Sequence, residues 1–194
     1  MAGEMLARAL ARYDRALRRR PLLTKALTSA AITFSGDAVA QTCFNAPGER
    51  FDFARSARFT LLGGVLVAPT LHVWYRSLGQ ALPGTAARTT LARVALDQLV
   101  FTPVFLAVFF PSLGVLEGKS VEQISSKLEE IWMPTIVRNW AWWGPVQLVN
   151  FRYMPARYQV LFSNMAGLVW NTYLSYLNSY KGPESVVLHQ PDDA

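Results

Sequence analysis

The chain has 194 residues, of which 52% are hydrophobic and 16% are charged, and its formal net charge is +6. Soluble domains carry about 25% charged residues, so too few charges are present to cover a soluble surface, and the composition favours an integral membrane protein. The single cysteine, Cys43, excludes an intramolecular disulfide, and together with two distant histidines it gives no support to a metal site.

Basic residues are concentrated at the N-terminus, where seven of the nineteen precede residue 26. Residues 4–20 combine leucines on one helical face with arginines on the opposite face, which is typical of a basic amphipathic helix. Such a helix lies on an anionic membrane, serves as a mitochondrial presequence or simply presents a solvated face. Because Glu4 and Asp14 are unusual in a removable presequence, we expect a retained interfacial helix that also assists mitochondrial targeting, and no nucleic-acid partner.

The next segment, residues 22–44, is weakly hydrophobic and rich in small residues. Small residues spaced alternately four and three apart predict a close helix–helix seam, and they are Thr24, Thr28, Ala31, Ser35, Ala38 and Thr42. Asp37 and Gln41 lie one turn apart in the middle of this segment. A carboxylate in an apolar span needs the bundle interior, water or a basic partner, so Asp37 is a candidate either for a solute path or for a structural ion pair.

Two later segments are uncharged over a length close to that needed to cross the hydrocarbon core. The first covers residues 59–75, and in it Gly64 and Ala68 are spaced for close helix contact. Pro69 predicts a kink in this helix. His72 follows, and it is either a pH-sensing residue or an interfacial histidine without that role.

The second uncharged segment, residues 98–116, is the clearest spanning segment. Asp97 and Gln98 stand at its beginning, where Asp97 is a candidate for lining a polar path or for pairing with nearby Arg93. Three phenylalanines repeat at intervals of four and form one row: Phe101, Phe105 and Phe109.

Tryptophan and carboxamide side chains share one stripe in residues 139–151. The members of the stripe are Trp140, Trp143, Gln147 and Asn150. They suit interhelical hydrogen bonding or the lining of a path. Gly144 and Pro145 are predicted to interrupt this helix with a kink, because proline removes a backbone donor.

The last apolar helix, residues 158–180, carries a second polar stripe, which indicates either a packing seam or a water-lined wall. Its members are Asn164, Gly167, Asn171, Ser175 and Asn178. If the bundle contains a path, we expect it between the helix with Asp37 and Gln41 and the helix with Gln147 and Asn150. Buried polar groups must face each other, another helix or water, and an ionised Asp37 in such a path would favour cations.

These segments predict an all-α fold, an integral membrane helical bundle of one domain. Residues 1–20 form the surface helix, residues 21–180 the bundle and residues 181–194 a flexible polar tail. We expect four membrane helices, near 22–44, 55–78, 91–116 and 131–151, with a fifth if residues 156–180 also span the membrane. A turn at residues 45–48 joins the first two.

Several short motifs occur together along the chain. They are Gly36-Asp37 with Gln41, Pro69-x-x-His72-x-Trp74-Tyr75, Asp97-Gln98 with Pro103, the tryptophan stripe ending at Asn150-Phe151, Pro155 with Arg157, and Trp170-Asn171-x-Tyr173-Leu174-Ser175. With this set the chain resembles the Mpv-seventeen family, also called the peroxisomal membrane protein two/four family, over nearly all of residues 21–180. It departs from the family where Ala68 replaces a usual glycine and Gly144 replaces a usual proline.

The resemblance implies a small multi-spanning protein of the mitochondrial inner membrane, or alternatively of the peroxisomal membrane, in contact with the lipid bilayer. It implies a non-selective channel for small solutes that supports organelle homeostasis and mitochondrial DNA maintenance, without catalytic residues, metal or cofactor. The competing interpretation is a non-conducting structural or interaction protein that organises the membrane or a complex. Homo-oligomerisation is compatible with both. No enzyme is expected, since the sequence lacks G-x-S-x-G, H-E-x-x-H and a phosphate loop.

Overall fold

Six helices make up the part of the protein that the computed structural model describes, which is residues 2–44 and 49–181. They are α1 (Ala2–Arg19), α2 (Pro21–Phe44), α3 (Phe53–Ala81), α4 (Ala87–Leu116), α5 (Val121–Tyr153) and α6 (Gln159–Lys181). No strand occurs in these ranges, so the predicted all-α fold is confirmed for them. The expected turn at 45–48 and residues 182–194 of the expected tail lie outside the described residues.

Helices α3 and α4 are long and apolar enough to cross a membrane by length and composition. Within the described ranges only these two meet that measure, so the number of four or five spans stays a prediction. Each predicted membrane segment nevertheless coincides with one helix. Helix α5 begins at Val121, where Ser120 and Gln123 form a capping box, so the span predicted near 131–151 is the later part of a longer helix.

Two π-helical turns widen α3 and α4 just before a proline. In α3 the turn covers Leu62–Val67 and precedes Pro69, and in α4 it covers Asp97–Phe101 and precedes Pro103. At both sites the amide before the proline donates to the carbonyl five residues back instead of four. Since proline cannot donate a backbone hydrogen bond, the wider turn is the form that the backbone takes where the sequence predicts the kink at Pro69.

Helix α5 continues through both of its prolines, Pro134 and Pro145. Gly144 and Pro145 therefore do not end the helix, while the kink expected there stays a prediction. A proline removes one backbone hydrogen bond, but residues on the turns that follow keep the helix in place, since Gln147 is hydrogen-bonded to another helix.

Helices α2 and α3 approach closely through two glycines. A Cβ atom at Gly63 would lie 2.4 Å from Thr33 Oγ1, and one at Gly64 would lie 3.3 Å from the Ala26 carbonyl oxygen. Only a residue without a side chain leaves room for the neighbouring backbone at this distance. The close contact that the sequence predicts at Gly64 is thus confirmed, and α2 is the helix on the other side of it.

The buried face of α2 differs from the predicted seam by about one residue. Its buried residues are Lys25, Ser29, Gly36, Asp37, Ala40 and Gln41. Ala31, Ser35 and Thr42 of the predicted seam are exposed. Small residues occur all round this helix, so their spacing alone does not identify the buried face. The polar side chains of Lys25, Asp37 and Gln41 do identify it.

Helix α6 packs along α2 and runs in the same direction. Ser29 Oγ donates to Asn164 Oδ1 at 3.2 Å, and two turns further along α2 a Cβ at Gly36 would lie 3.5 Å from Leu168 Cγ. The contacts advance along both helices together, so the helices are parallel. Asn164 of the predicted polar stripe lies in this packing seam, whereas Asn171 is exposed. The side chains of Ser175 and Asn178 lie outside the described residues.

The apolar core lies between α3, the end of α5 and the start of α6. Its buried residues are Ala68, Leu71, Tyr75, Leu78, Phe151 and Val160. Large apolar side chains are also exposed along α3 and α4, among them Val65, Val73, Leu99, Val104 and Val108. An apolar exterior over such a length is typical of helices that face lipid rather than water.

The close approach of α2 and α3 predicts that Gly63→Ala lowers the thermal unfolding midpoint in detergent. The added methyl group would displace Thr33, and overpacking of this kind costs about 1–3 kcal/mol. Gly79→Ala on the same helix is the matched control, because a Cβ there meets nothing within 4 Å. Gly79→Ala should keep or raise the midpoint, and an equal decrease in both variants would contradict the glycine contact.

Candidate functional site

The first buried polar cluster joins α2 to the start of α3 and is centred on Asp37, which is 8% exposed. Its carboxylate accepts hydrogen bonds from Ser56 Oγ (2.5 Å) and Gln41 Nε2 (2.7 Å) and pairs with Arg55 Nε (2.9 Å). The opposite charge and the two hydrogen bonds offset the cost of burying the carboxylate. Of the two roles that the sequence allows for Asp37, the geometry favours the structural ion pair.

Gln41 fastens α2 to the residues that lead into α3. Its Nε2 also donates to Ser56 Oγ and to the Asp52 carbonyl, both at 3.0 Å, while its Oε1 accepts from the Asp52 amide at 2.7 Å. The Asp52 carboxylate in turn caps α3 by accepting from the Arg55 amide at 2.8 Å. Gln41 therefore acts between a helix and a loop, with both ends of its carboxamide hydrogen-bonded.

The second cluster joins α3, α4 and α5 around Asp97, which is 1% exposed. Trp74 Nε1 and Gln98 Nε2 donate to its carboxylate, both at 2.8 Å. Trp140 Nε1 donates to the Gln98 carbonyl at 2.7 Å. The arginine considered as a partner of Asp97, Arg93, donates instead to the Leu82 carbonyl. Asp97 is thus held by two neutral donors.

The third cluster joins α3, α5 and α6 through Tyr75. Gln147 Nε2 donates to the Tyr75 hydroxyl at 2.7 Å, and that hydroxyl is 2.8 Å from Ser163 Oγ. Asn150 Nδ2 donates to Gln147 Oε1 at 2.9 Å and to Ser163 Oγ at 3.1 Å. Asn150 is fully buried. Gln147 and Asn150 therefore form the interhelical hydrogen bonds that their spacing predicts.

The two polar pairs expected to face each other do not meet. Asp37 and Gln41 belong to the first cluster, and Gln147 and Asn150 belong to the third. Helix α2 packs mainly against α3 and α6, whereas α5 packs against α4 and α6. The path expected between these pairs therefore gains no support from the described contacts, and it stays a prediction. The cation preference expected from Asp37 has no support either, because Arg55 compensates its charge.

A cavity of about 580 Å³ opens beside the third cluster. It lies among the α1–α2 junction, the second half of α3, the connection at 82–86 and the segment before α6. We call it the basic cavity, because its lining includes Lys25, His72, Arg76, Arg93 and Arg157 and neither aspartate nor glutamate. Tyr75 and Phe151 also line it, so the cavity ends on the apolar core and on the third cluster.

Hydrogen bonds to neutral acceptors orient two cations that line the basic cavity, Lys25 and Arg93. Lys25 Nζ is 3.0 Å from His72 Nδ1, and because an ammonium group can only donate, this ring nitrogen accepts. Arg93 donates to the Leu82 carbonyl from Nε (3.1 Å) and Nη2 (2.5 Å). His72 is thus part of a cavity wall, and the two roles considered for it from the sequence stay predictions.

The sequence did not single out Lys25, Tyr75, Arg93 or Ser163 as site residues. For Lys25 a signal was available, since it is a charge one turn before the buried Ser29 in a helix of small residues. The other three have common residue types at unremarkable spacing. Of the stripe in α5, Trp143 lies against α6, where a Cβ at Gly167 would be 3.7 Å from its ring.

Helix α1 is attached to the bundle through Asp14. The Asp14 carboxylate accepts from the Tyr158 hydroxyl at 2.7 Å and pairs with Arg18 at 2.9 Å and Arg157 at 3.0 Å. The Tyr158 hydrogen bond, followed by the one from Arg18, lowers the pKa of the Asp14 carboxyl below its ordinary value of 3.8. The acidic residue that argues against a removable presequence therefore holds the helix beside the basic cavity.

The described part of the chain contains no cluster of candidate metal ligands. There, no three residues among histidine, cysteine, aspartate and glutamate lie close enough together to hold a metal ion. The three clusters contain hydrogen-bonding side chains, among them the carboxylates of Asp37 and Asp97, whereas the basic cavity is lined by cations and by no carboxylate.

Comparison with known proteins places the chain among small organelle membrane proteins. A model of the Mpv17 / PMP22 family matches residues 114–175. The protein SYM1 of Gibberella zeae is 36% identical over 170 residues, which cover 86% of this chain and 95% of that protein. No solved structure shows significant similarity.

Two further relatives have names that state a membrane. Peroxisomal membrane protein 2 of Bos taurus is 32% identical over 180 residues, 90% of this chain and 92% of the relative. The mitochondrial inner membrane protein Mpv17 of Caenorhabditis briggsae is 33% identical over 164 residues, 84% of this chain and 90% of the relative.

The ion pair in the first cluster predicts that Asp37→Asn lowers the stability in detergent by about 3 kcal/mol, because the buried attraction between Asp37 and Arg55 is lost. The double variant Asp37→Asn with Arg55→Met should recover part of that loss. Thermal unfolding measures both, with the exposed Glu129→Gln as control. An unchanged unfolding midpoint in Asp37→Asn, together with altered solute flux, would instead indicate that Asp37 lines a solute path.

The attachment of α1 predicts a loss of docking in acid. A carboxyl with a lowered pKa stabilises the docked state above its ordinary pKa, and that stability is lost as the pH falls through the lowered value. Asp14→Asn should release α1 already at neutral pH, seen as faster hydrogen exchange of its amides. Glu4→Gln on the same helix is the control, and equal exchange in the two variants would contradict the attachment.

Proposed function

Since the chain belongs to the Mpv17 / PMP22 family of membrane proteins, we propose that it is an integral protein of the mitochondrial inner membrane that passes small solutes. The observation that carries the proposal is the basic cavity, which leads to the third polar cluster. A cavity that opens at one end of a helical bundle and continues into polar side chains is what a solute path in a membrane requires.

The mitochondrial location is supported by two observations. The relative from Caenorhabditis briggsae is named for the mitochondrial inner membrane, and α1 has the basic amphipathic character that suits an import signal or an anionic membrane. The bovine relative is named for the peroxisomal membrane, which is the alternative location.

We assign five membrane spans to helices α2 to α6. The parallel contact of α6 with α2 supports this number, because two parallel helices separated by three others fit an alternating arrangement in which both cross. In the same arrangement the start of α2, the end of α3 and the start of α6 share one side. Hydrogen bonds from Arg152 to the Thr85 carbonyl and from Tyr158 to Asp14 join segments of that side.

The side with the basic cavity is the one that we assign to the matrix. The arginines of α1 lie there, together with Arg76, Arg88, Arg152 and Arg157. Short loops rich in arginine and lysine stay on the side from which a membrane protein is inserted. The cavity therefore opens toward the matrix, and α1 lies along the same membrane surface.

The third cluster closes the proposed path in the described conformation. Tyr75 is 4% exposed and is bonded to Gln147, so no solute passes until this contact opens. In the second and third clusters, Gln98 Oε1 and Asn150 Oδ1 are buried acceptors without a hydrogen-bond partner among the described residues. Unpaired acceptors cost about 1–3 kcal/mol each, and hydration during opening would remove that cost.

The competing function is that of a non-conducting protein that organises the membrane or a complex. The first cluster favours it, since the charge of Asp37 is compensated and ties two helices together instead of lining a path. This function requires neither the basic cavity nor an opening at Tyr75. We assign no catalytic role to any residue.

Flux measurements on the purified protein in liposomes test the proposal. Wild-type protein should release a small neutral solute faster than protein-free liposomes, and Gln147→Leu should release it about fivefold faster still, because one neutral hydrogen bond of about 1 kcal/mol no longer holds Tyr75. Asn171→Leu, which replaces an exposed carboxamide, should behave as wild type. Release at the protein-free rate by both wild type and Gln147→Leu would establish the non-conducting alternative.

A further inference from the structure

Two cations of the basic cavity are buried without a carboxylate partner. Lys25 is 6% exposed and Arg93 is 8% exposed. None of the ion pairs within the described residues includes either of them. Buried charges are ordinarily paired with an opposite charge because removing them from water is costly. The cavity therefore holds two positive charges that the described residues do not neutralise.

The hydrogen bonds of these cations orient them but do not supply a counter-charge. Lys25 has the neutral ring nitrogen of His72 as its acceptor, and Arg93 has the Leu82 carbonyl. Leu82 ends α3, and the last carbonyls of a helix together carry only about half a negative charge. Both side chains thus keep further donors available for a ligand.

The other charges of the basic cavity add to this excess. Arg76 also lines it and is exposed, while Arg157 lines it and is already paired with Asp14 at 3.0 Å. Among the ion pairs of the described residues, Asp14 is the carboxylate that reaches the cavity residues, and it also holds Arg18. It therefore has no charge left for Lys25 or Arg93.

The volume of the basic cavity fits a small molecule rather than a single ion. At about 580 Å³ it lies within the range of about 300–1,000 Å³ that is usual for ligand pockets. Its wall combines the cations with Leu17, Tyr75 and Phe151, which offer apolar contact. A compound with an anionic group and a less polar remainder suits both parts of the wall.

We propose that the basic cavity binds a phosphate group of a small organic phosphate, with Lys25 and Arg93 as its charged ligands and His72 as a further donor. A phosphate monoester carries a charge of about −1.5 to −2 near neutral pH, which matches the two uncompensated cations. A guanidinium group binds phosphate oxygens in pairs, and an ammonium group binds them as a compact charge. His72 accepts from Lys25 through Nδ1, so its other ring nitrogen bears the proton and donates.

The same chemistry is offered by two sources, a soluble phosphate compound and the headgroup of an acidic phospholipid. We assign the site to the soluble compound, because the cavity opens among connections and helix ends rather than along the apolar faces of α3 and α4. This inference deepens the proposed function, and it rests on that function for the claim that the bound compound is also the solute passed.

Calorimetric titration of the full-length protein with inorganic phosphate tests the site in nanodiscs of pure phosphatidylcholine. Wild type should give a saturable signal. Lys25→Gln and Arg93→Gln should each weaken the affinity by about tenfold or more, as expected for the loss of a charged hydrogen bond. Lys25→Arg should retain most of it. Arg88→Gln is the matched control, because Arg88 is exposed on the same helix as Arg93 and does not line the cavity.

The folded state of each variant is checked by its elution volume in size-exclusion chromatography and by its helical content. Arg76→Gln is an additional variant at an exposed cation of the cavity, and this variant should weaken phosphate binding by a smaller factor than Lys25→Gln or Arg93→Gln. Equal affinity in wild type, Lys25→Gln and Arg93→Gln, or no saturable signal in any of them, overturns the site.

Nanodiscs that contain about one-fifth phosphatidylglycerol separate the two sources. An unchanged phosphate affinity in these nanodiscs supports the soluble compound. Loss of phosphate binding there, with retention of phosphatidylglycerol that depends on Lys25, overturns this assignment in favour of the lipid headgroup. Phosphate binding without any flux of neutral solute refutes the proposed function and leaves the site in place. Flux without phosphate binding refutes the site alone.

Discussion

The pairing of buried polar side chains is the constraint on which this bundle depends. In an apolar surrounding every polar group must find its partner within the protein, and α3 supplies partners in all three clusters. Ser56 meets Asp37 of α2, Trp74 meets Asp97 of α4, and Tyr75 meets Gln147 of α5. Because these three residues are fixed to one helix, the hydrogen bonds also fix the positions of the surrounding helices relative to one another.

Opposite charge is distributed unevenly between the two ends of the bundle. At one end the Asp37 carboxylate is paired with Arg55, so the buried negative charge there is compensated within the protein. At the other end Lys25 and Arg93 keep their charge beside an open cavity. The same physical rule, that a buried charge needs a counter-charge, thus identifies one end as structural and the other as a place for a ligand.

Sequence patterns predicted the helices well and their contacts only in part. Uncharged length and spacing predicted each helix because these properties depend on neighbouring residues in the chain. The pairing of Asp37 with Arg55 and of Gln147 with Tyr75 depends on which helices are neighbours, and that is set by glycine contacts such as Gly63 on Thr33. Small residues surround α2 on all sides, so the sequence could not show which face would be used. The basic cavity could not be predicted either, because its lining residues come from four separate segments whose proximity depends on the packing of the helices.

The Asp37–Arg55 pair also has a consequence for how the protein enters the membrane. An aspartate within a spanning helix costs up to about 2.5–3.5 kcal/mol on insertion scales, and α2 is not apolar enough to qualify as a span by itself. Helix α3, which does qualify, carries the arginine that neutralises Asp37. In the five-span arrangement proposed above, insertion of α2 would therefore be coupled to that of α3, and the two helices would enter the bilayer together as a hairpin. In that arrangement, a truncated chain that ends before Arg55 would insert α2 poorly, because Asp37 would lack the arginine of α3.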